Sequence, residues 1–332
     1  NDEEKMKYIK WGIICDDNEQ TLDAYGVFGQ VEGSDIVAAA CRTDNPALRE
    51  AVRSNDIEWC TDIQEMIESE TVNAIYIGST TSTHATYAIM AMKAGKPTYI
   101  AAPLASNYAD CARINRVSGE TGVPCYAAYF HRNLPYLDEI RRIITQGLIG
   151  NIVNVRLAFS CPVAGLASLP LYIPKGNRIE FDNGEECFYE LASHQFDILQ
   201  VLFDVIIEAD GICSDDPSKS GEYPTINACF KFENGLTGSA SWCFTGHVSG
   251  KEDKVRIIGD KGKLTFSVFH DSPIELITVA GTEFISPHHP SDIRLPLTKN
   301  VIEDLQGFNV CVSTGISATP DNWVLDRILA KF

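Results

Sequence analysis

From Tyr8 to about Ala128 the chain alternates short apolar runs with longer helical stretches, and this alternation constrains the fold more than any other feature. The apolar runs predict five strands, Tyr8–Ile14, Ile36–Cys41, Ala74–Ile77, Thr98–Ile100 and Cys125–Ala128. Each run is too short and too apolar for anything but a buried strand. Because strands that alternate with crossover helices form parallel sheets, we predict a Rossmann-type α/β domain over residues 1–128.

The segments between these strands carry helix signals. One helix is predicted from about Thr83 to Lys93, with Gly95 as its left-handed stop. Another begins near Asn107, whose side chain is a good N-cap, and is expected to end before Gly119.

Strand signals dominate from residue 129 onward. Asn234-Gly235 separates two such runs and is the strongest short signal for a β-hairpin. The predicted strands are Ile152–Ser160, Thr225–Phe232, Leu236–Phe244, Lys254–Ile258 and Lys263–Phe269, and the predicted helices are Leu134–Gln146, Leu191–Leu202 and Trp323–Ala330. We therefore predict a C-terminal α/β domain over residues 129–332 with a large open, mostly antiparallel sheet.

Charge and cysteine content exclude several classes of partner. The formal net charge of −18 opposes the phosphate backbones of nucleic acids. No run of about 18 apolar residues occurs, so no membrane span is expected. The eleven cysteines are odd in number and include no C-x-x-C pair, which favours buried thiols in a reducing compartment over disulfides or a structural zinc. We expect a cytoplasmic protein without a bound metal.

Several short motifs follow one another in the order and spacing of a known family. They are Trp11-Gly12-Ile13-Ile14, Glu32-Gly33-Ser34-Asp35, Ala94-Gly95-Lys96-Pro97, Gly147-Leu148-Ile149-Gly150, Leu191-Ala192-Ser193-His194 and Ile258-Gly259-Asp260-Lys261-Gly262. No one of them is specific, but together they resemble the Gfo/Idh/MocA oxidoreductases over nearly the whole chain. The resemblance implies an NAD- or NADP-dependent enzyme that oxidises sugars, inositols or related polyols.

The turn after the first strand departs from the family pattern. The family carries a G-x-G-x-x-G-type fingerprint there, because the cofactor's pyrophosphate approaches the backbone and the helix N-terminus. Here the run reads Cys15-Asp16-Asp17-Asn18-Glu19-Gln20, with Cys15 and Asp17 in place of the leading glycines. A carboxylate about 4 Å from a phosphate costs roughly 1 kcal/mol in water. We predict weak or absent NAD(P) binding, although the acidic residues can also cap the helix.

The second departure lies at the family's Glu-Lys-Pro motif, whose lysine contacts the substrate hydroxyl and the nicotinamide region. This chain reads Ala101-Ala102-Pro103, so Ala102 stands at the lysine position. Deleting such a group commonly costs about a hundredfold in rate, which puts catalytic activity in doubt.

Further cofactor positions follow from the resemblance. Beside Cys15 and Asp17 they are Asn18, Arg42, Ser79, Thr80, His84 and Ala101. Arg42 follows the second strand, where a cation could meet a 2′-phosphate, and a solvated arginine is the alternative. A capping role is the alternative for His84.

The predicted substrate side is better preserved. Glu190 and His194 share a helix face at a spacing of four, and they match the family's acid-x-x-x-His segment, whose histidine acts as general acid/base or binds substrate. A histidine satisfied by Glu190 or by a backbone carbonyl is the alternative. Tyr129 and Arg132 are further substrate-binding candidates, with packing or surface roles as alternatives.

Three functions remain open from the sequence. The chain is an oxidoreductase with an altered site, a non-catalytic sugar-binding protein or partner subunit of an active paralogue, or a lyase or hydrolase that uses His194 without net redox change. We expect a sugar or polyol, preferably neutral, to bind between the domains at His194. Assembly as a homo-oligomer, or with a paralogue, is expected through the sheet of the second domain, at Ile226–Phe232 and Leu236–Trp242.

Overall fold

The computed structural model describes residues 7–16, 22, 25–162, 166, 184–214, 224–245 and 250–331. The chain forms two compact units. Unit 1 holds the described residues up to Arg132 together with the segment Asp292–Asn322, and unit 2 holds those from Asn133 to Ser291 and from Trp323 onward. The chain thus leaves unit 1 four residues after the predicted boundary at residue 128 and later returns to it.

Unit 1 is built around a six-stranded, wholly parallel sheet. Its strands are β1 (Ile9–Ile14), β2 (Ser34–Ala40), β3 (Glu58–Cys60), β4 (Ala74–Ile77), β5 (Thr98–Ile100) and β6 (Cys125–Ala127), in the order β3-β2-β1-β4-β5-β6. The helices of this unit include α1 (Pro46–Ser54), α2 (Ile63–Glu68), α3 (His84–Lys93), α4 (Tyr108–Thr121) and α7 (Leu295–Gln306). This arrangement confirms the predicted Rossmann-type sheet.

Close packing explains the apolar and small residues of β1. Trp11 is fully buried, and its indole Nε1 donates to Ser34 Oγ on β2 at 3.1 Å. A Cβ atom at Gly12 would lie 3.0 Å from Val72 Cγ1, so the strand approaches its neighbours more closely than a side chain would allow. One predicted boundary was wrong, because α4 continues through Gly119 to Thr121 and ends at Gly122, which adopts a left-handed φ of 69°.

Unit 2 contains an eight-stranded sheet. Its strands are β7 (Ile152–Ser160), β8 (Ile206–Cys213), β9 (Thr225–Phe232), β10 (Thr237–Cys243), β11 (Glu252–Gly259), β12 (Gly262–Phe266), β13 (Ile274–Thr278) and β14 (Gly281–Ile285), in the order β14-β13-β12-β11-β7-β10-β9-β8. All neighbours are antiparallel except β7 and β10. The predicted open, mostly antiparallel sheet is confirmed.

Helices α5 (Pro135–Thr145) and α6 (Gly184–Phe203) belong to unit 2, while α8 (Gly315–Ile328) begins in unit 1 and ends in unit 2. α6 packs on the buried face of the sheet, where the indole Nε1 of Trp242 donates to Gln195 Oε1 at 2.7 Å. No helix within the described residues is long and apolar enough to cross a membrane.

Candidate functional site

The carboxyl ends of the unit 1 strands meet at one edge of the sheet. Backbone hydrogen bonds extend the ladders past the strand ends, from Gly78 N to Ile14 O and from Ala101 N to Ile77 O, each 2.9 Å. The strand order reverses between β1 and β4. In open α/β sheets ligands bind in the crevice outside the carboxyl ends at such a reversal. The segments after β1, β4 and β5 are therefore the candidate cofactor edge.

Cys15 occupies the first position of the turn after β1. Its side chain is buried, and its backbone N–H donates to Ala40 O at 2.9 Å. The thiol of Cys41, at the end of β2, donates to Asp16 O over 3.7 Å. The predicted cofactor positions Asp17 and Asn18 lie outside the described residues. A buried thiol therefore stands where the family fingerprint begins with a glycine.

His84 ties two of the edge segments together. Its ring is buried, with Nδ1 3.1 Å from Pro103 O and Nε2 2.8 Å from Ser79 O. Burial lowers the pKa of His84, and the two carbonyls together with Asp16 act in the opposite direction. Since a neutral imidazole carries one N–H, it can donate to only one of these carbonyls at a time. These contacts show that His84 stabilises the segments after β4 and β5. Contact between His84 and a cofactor stays a prediction.

The other predicted cofactor positions differ in exposure. Ser79 Oγ lies 2.8 Å from Thr83 Oγ1, which donates to Thr80 O at 2.7 Å, so these hydroxyls stabilise the turn after β4. Arg42 is exposed. Ala101 and Ala102 are partly buried after β5, and Ala102 packs against the apolar core of unit 1. Ala102, at the position predicted for the family's lysine, therefore carries only a methyl group as its side chain.

Arg132 is held within unit 1 by the segment before α8 and by the first turn of α8. Its guanidinium donates to Val312 O at 2.7 Å and to Ser317 Oγ at 2.6 Å, and it lies 5.7 Å from the ring centroid of Tyr129. Both Tyr129 and Arg132 are buried. Their contacts support the packing role that the sequence left open, and substrate binding by this pair stays a prediction.

His194 lies on α6 in unit 2 and is only 2% exposed. Its ring is perpendicular to that of Phe269, with centroids 6.4 Å apart. Burial lowers the pKa of His194 to about 3. The imidazole is therefore uncharged near neutral pH, where it can exchange hydrogen bonds with a hydroxyl but does not present a positive charge.

The residues around His194 on α6 are anchored in several ways. Ser193 Oγ donates to the backbone carbonyl of Glu190 at 2.8 Å, and the Glu190 side chain is partly buried. Glu185, at the start of α6, forms an ion pair with Lys331, whose ammonium lies 4.9 Å from the ring centroid of Tyr189. Because Lys331 compensates Glu185, this carboxylate adds little negative potential at the start of α6.

Asp253 is a structural residue that the sequence analysis did not identify. Its carboxylate is buried and accepts the backbone N–H groups of Val268, Phe269 and His270 at 3.2, 2.7 and 3.2 Å. His270 Nδ1 lies 3.2 Å from the same carboxylate. The carboxylate thereby fixes the turn that places Phe269 against His194. One sequence signal existed, since alternation along β11 puts Asp253 on the same face as buried Val255.

Comparisons with known proteins match both halves of the chain. Residues 24–129 match the model of an oxidoreductase family with an NAD-binding Rossmann fold, and residues 137–265 match a GFO/IDH/MocA C-terminal domain. Oxidoreductase P35 of Formosa agariphila is 23% identical over 298 residues, which cover 89% of this chain and 90% of the relative. The scyllo-inositol 2-dehydrogenase (NAD(+)) of Bacillus subtilis is 23% identical over 264 residues, covering 78% and 72% of the two chains.

Solved structures agree with these sequence matches. A levoglucosan dehydrogenase in complex with NADH and levoglucosan superposes with a TM-score of 0.80 at 16% identity, covering 98% of this chain and 97% of that one. This likeness shows the fold. Together with the family models matched in both halves, it leads to one identification: the chain belongs to the Gfo/Idh/MocA oxidoreductase family.

Proposed function

We propose that this chain is a sugar- or polyol-binding member of its family in which NAD(P) binding is weak or absent, so that hydride transfer is impaired or lost. The observation that carries the proposal is the buried, uncharged His194 on α6, one helical turn after Glu190. A neutral imidazole suits a ligand hydroxyl, which both donates and accepts hydrogen bonds.

The cofactor half of the proposal is supported by the two altered segments of unit 1. The buried side chain of Cys15 takes up space that a pyrophosphate needs in order to approach the backbone. Asp16, the next residue, adds a carboxylate. Ala102 supplies no ammonium to stabilise negative charge on an alcohol oxygen as it loses its proton. The change after β1 weakens cofactor binding, and the change at Ala102 slows the loss of the alcohol proton. Each therefore impairs hydride transfer at a different step.

The ligands of the relatives support the proposal that this chain binds a sugar or polyol. Among them are an inositol dehydrogenase and a levoglucosan dehydrogenase, whose ligands are uncharged and rich in hydroxyls. An uncharged His194 offers no cation to an anionic ligand, and Glu186 and Glu190 lie on the same helix. We therefore infer a preference for neutral polyols over strongly anionic ones.

A panel of sugars and polyols tests this half directly. The intact chain is titrated calorimetrically with each compound, and the tightest binder is measured again with His194→Ala. We expect the variant to lose about 1 to 2 kcal/mol of binding free energy, the usual worth of a buried hydrogen bond. His288→Ala, an identical change at an exposed histidine, is the matched control and should bind normally. A panel without binders, or an affinity that His194→Ala leaves unchanged, would favour a partner subunit instead.

Assembly forms a separate part of the proposal. The open faces of β9 and β10 carry small and polar residues, Asn227, Cys229, Ser239 and Ser241, which allow another surface to approach closely. We propose that this face joins the chain to a second copy or to a paralogue. Light scattering on the purified chain, compared with a Ser241→Arg variant, should show a larger species that the variant disrupts.

The proposed cellular location rests on the free state of the cysteine thiols. All eleven cysteines are free, and most of them are buried. Free thiols are kept reduced in the cytosol, so we propose a cytoplasmic protein. Fractionation of the native cells would test this location.

A further inference from the structure

The surface of unit 1 carries an apolar patch between the end of α7 and the start of α8. We define this patch by Phe308, Val310, Val312 and Ile316, which are between 53% and 78% exposed. They are four of the thirteen large apolar residues that are exposed in the described part of the chain, and they fall within nine consecutive positions. Single exposed apolar residues need no explanation, but a concentration of this kind marks an interaction surface.

Two buried polar side chains beneath the patch hold its residues together. The side-chain amide of Asn300 donates to Val310 O and accepts from Val312 N, each at 3.1 Å. The guanidinium of Arg132 donates to Val312 O and also to the first turn of α8, where Ile316 lies. Both Asn300 and Arg132 are buried. The apolar side chains are therefore displayed side by side on a fixed support.

Much of the main chain beneath the patch is already hydrogen-bonded within the molecule. Cys311 N donates to Asp304 Oδ2 at 3.2 Å. Ser313 O accepts from Ala127 N at 3.1 Å, and Ser313 Oγ donates to Ala127 O at 2.7 Å. Because these groups are engaged, a partner cannot add a strand to them and contacts the patch through its apolar side chains.

The distribution of charge indicates which partner fits the patch. The segment 307–320 contains no Asp, Glu, Lys, Arg or His, although the formal net charge of the chain is −18. At the rim, Glu303 lies 3.7 Å from Lys299 and accepts a hydrogen bond from Asn309. Repulsion between two copies of this acidic chain is therefore weakest where patch faces patch. A charged partner finds no complementary group within the segment.

The area of the patch also suits a second copy of the chain. At the observed exposures its four residues present on the order of 500 Å² per chain. Pairing of the patch with itself about a two-fold axis buries roughly 1,000 Å², which is where specific interfaces begin. Because this area is mostly apolar, its removal from water favours association.

We propose that Phe308, Val310, Val312 and Ile316 form an isologous interface with the same patch of a second copy of this chain. In this contact each apolar side chain is covered by an equivalent surface, and no charge within the patch is desolvated. The interface is separate from the one proposed at β9 and β10, and neither depends on the other. Two different isologous contacts on one chain produce assemblies larger than a dimer.

Sedimentation equilibrium of the Ser241→Arg variant isolates the contact at the patch, because that substitution is chosen to disrupt the sheet interface. We expect this variant to form a reversible dimer. Adding Val310→Asp should weaken the dimer at least about a hundredfold, since each chain then buries an uncompensated carboxylate against an apolar surface. Val279→Asp, the same change at a fully exposed valine between β13 and β14, is the matched control and should leave the dimer intact.

The proposal is supported if Val310→Asp dissociates a dimer, whether or not Ser241→Arg alters the assembly of the parent chain. Ile316→Asp provides a second, independent variant, and thermal unfolding confirms that both variants fold. A dimer that Val310→Asp and Ile316→Asp leave unchanged overturns the proposal, because the chains then associate elsewhere. A Ser241→Arg variant that stays monomeric up to about 100 μM also overturns it, since the patch then does not pair with itself.

Discussion

The strand-end edge of unit 1 and the His194 region of unit 2 retain different amounts of the family's chemistry. At the edge, Cys15 and Ala102 stand where the resemblance to the family predicts the pyrophosphate-binding glycine and the lysine of proton transfer. In unit 2, Glu190 and His194 keep their helical spacing, and Asp253 fixes the turn that packs Phe269 against His194. We therefore propose that the same fold carries one altered region and one preserved region.

This difference shows which parts of the chain the fold itself requires. The glycines of a phosphate-binding turn serve the ligand, so their replacement leaves the parallel sheet intact. His194 lies in a packed core beside Phe269, where most substitutions carry a cost in stability. Fold and function can thus separate, and the site residues decide the function.

The largest effect is expected from removing the carboxylate of Asp253, which fixes the turn that packs against His194. Asp253→Ala deprives three backbone N–H groups of their buried acceptor, and leaving such groups unpaired costs about 3 kcal/mol in total. Urea unfolding of Asp253→Ala should show this loss. Asp271→Ala, at an exposed aspartate two residues after Phe269, is the control and should change stability by less than about 0.5 kcal/mol. A small effect at Asp253 would mean that the turn near His194 is held by other contacts.

A second prediction concerns the buried His194, whose low pKa makes the free energy of unfolding depend on pH. The pKa of His194 is about 3 in the folded chain, against an ordinary value of 6.5. The unfolded chain therefore binds a proton between these values while the folded chain does not, so stability falls as pH decreases below 6.5. From pH 6 to pH 4 this histidine should remove about 2 kcal/mol.

The comparison of His194→Gln with the parent chain isolates this contribution. Glutamine does not titrate, so the variant should lose about 2 kcal/mol less of its unfolding free energy over the same pH interval. His84 remains in both chains, and its own lowered pKa cancels in the difference. Parallel pH profiles for the two chains would contradict the buried, uncharged state of His194.

A smaller effect is expected from restoring the altered region. Cys15→Gly combined with Asp17→Gly removes a side chain and a carboxylate from the predicted pyrophosphate-binding turn. The affinity for NAD should improve by about 1 kcal/mol or more, since each close carboxylate costs roughly that amount in water. Fluorescence titration with NADH measures the gain, and Asp44→Gly, at an exposed aspartate, provides a control for net charge. An unchanged affinity would indicate that the turn after β1 does not form the phosphate site.

The strands were largely predictable from the sequence, because buried parallel strands leave continuous apolar runs. β4 and β5 have the predicted bounds. β3 was not predicted, since Glu58-Trp59-Cys60 is too short to show a pattern. The start of α8 was placed eight residues late at Trp323, because Pro320 lies inside the helix.

The site was predictable only where a motif marks it. Cys15, Ala102 and His194 are predicted as site residues by comparing short motifs with the family pattern, and their roles stay predictions. The contacts of Arg132 could not be found this way, because its partner Ser317 lies 185 residues away in the sequence. Such a pairing depends on the folded arrangement of segments, and neither residue carries a local signal for it.

Calorimetric titration of the unaltered chain with NAD and NADP tests the central claim most directly, because the contrast between the two regions requires that the cofactor side is impaired. The account predicts a dissociation constant above about 100 μM for both cofactors at neutral pH, or no measurable heat. Mass spectrometry of the denatured protein should accordingly detect no cofactor that remained bound through purification. A dissociation constant in the low micromolar range would contradict the account, since it would show that Cys15, Asp17 and Ala102 leave the family's cofactor site intact.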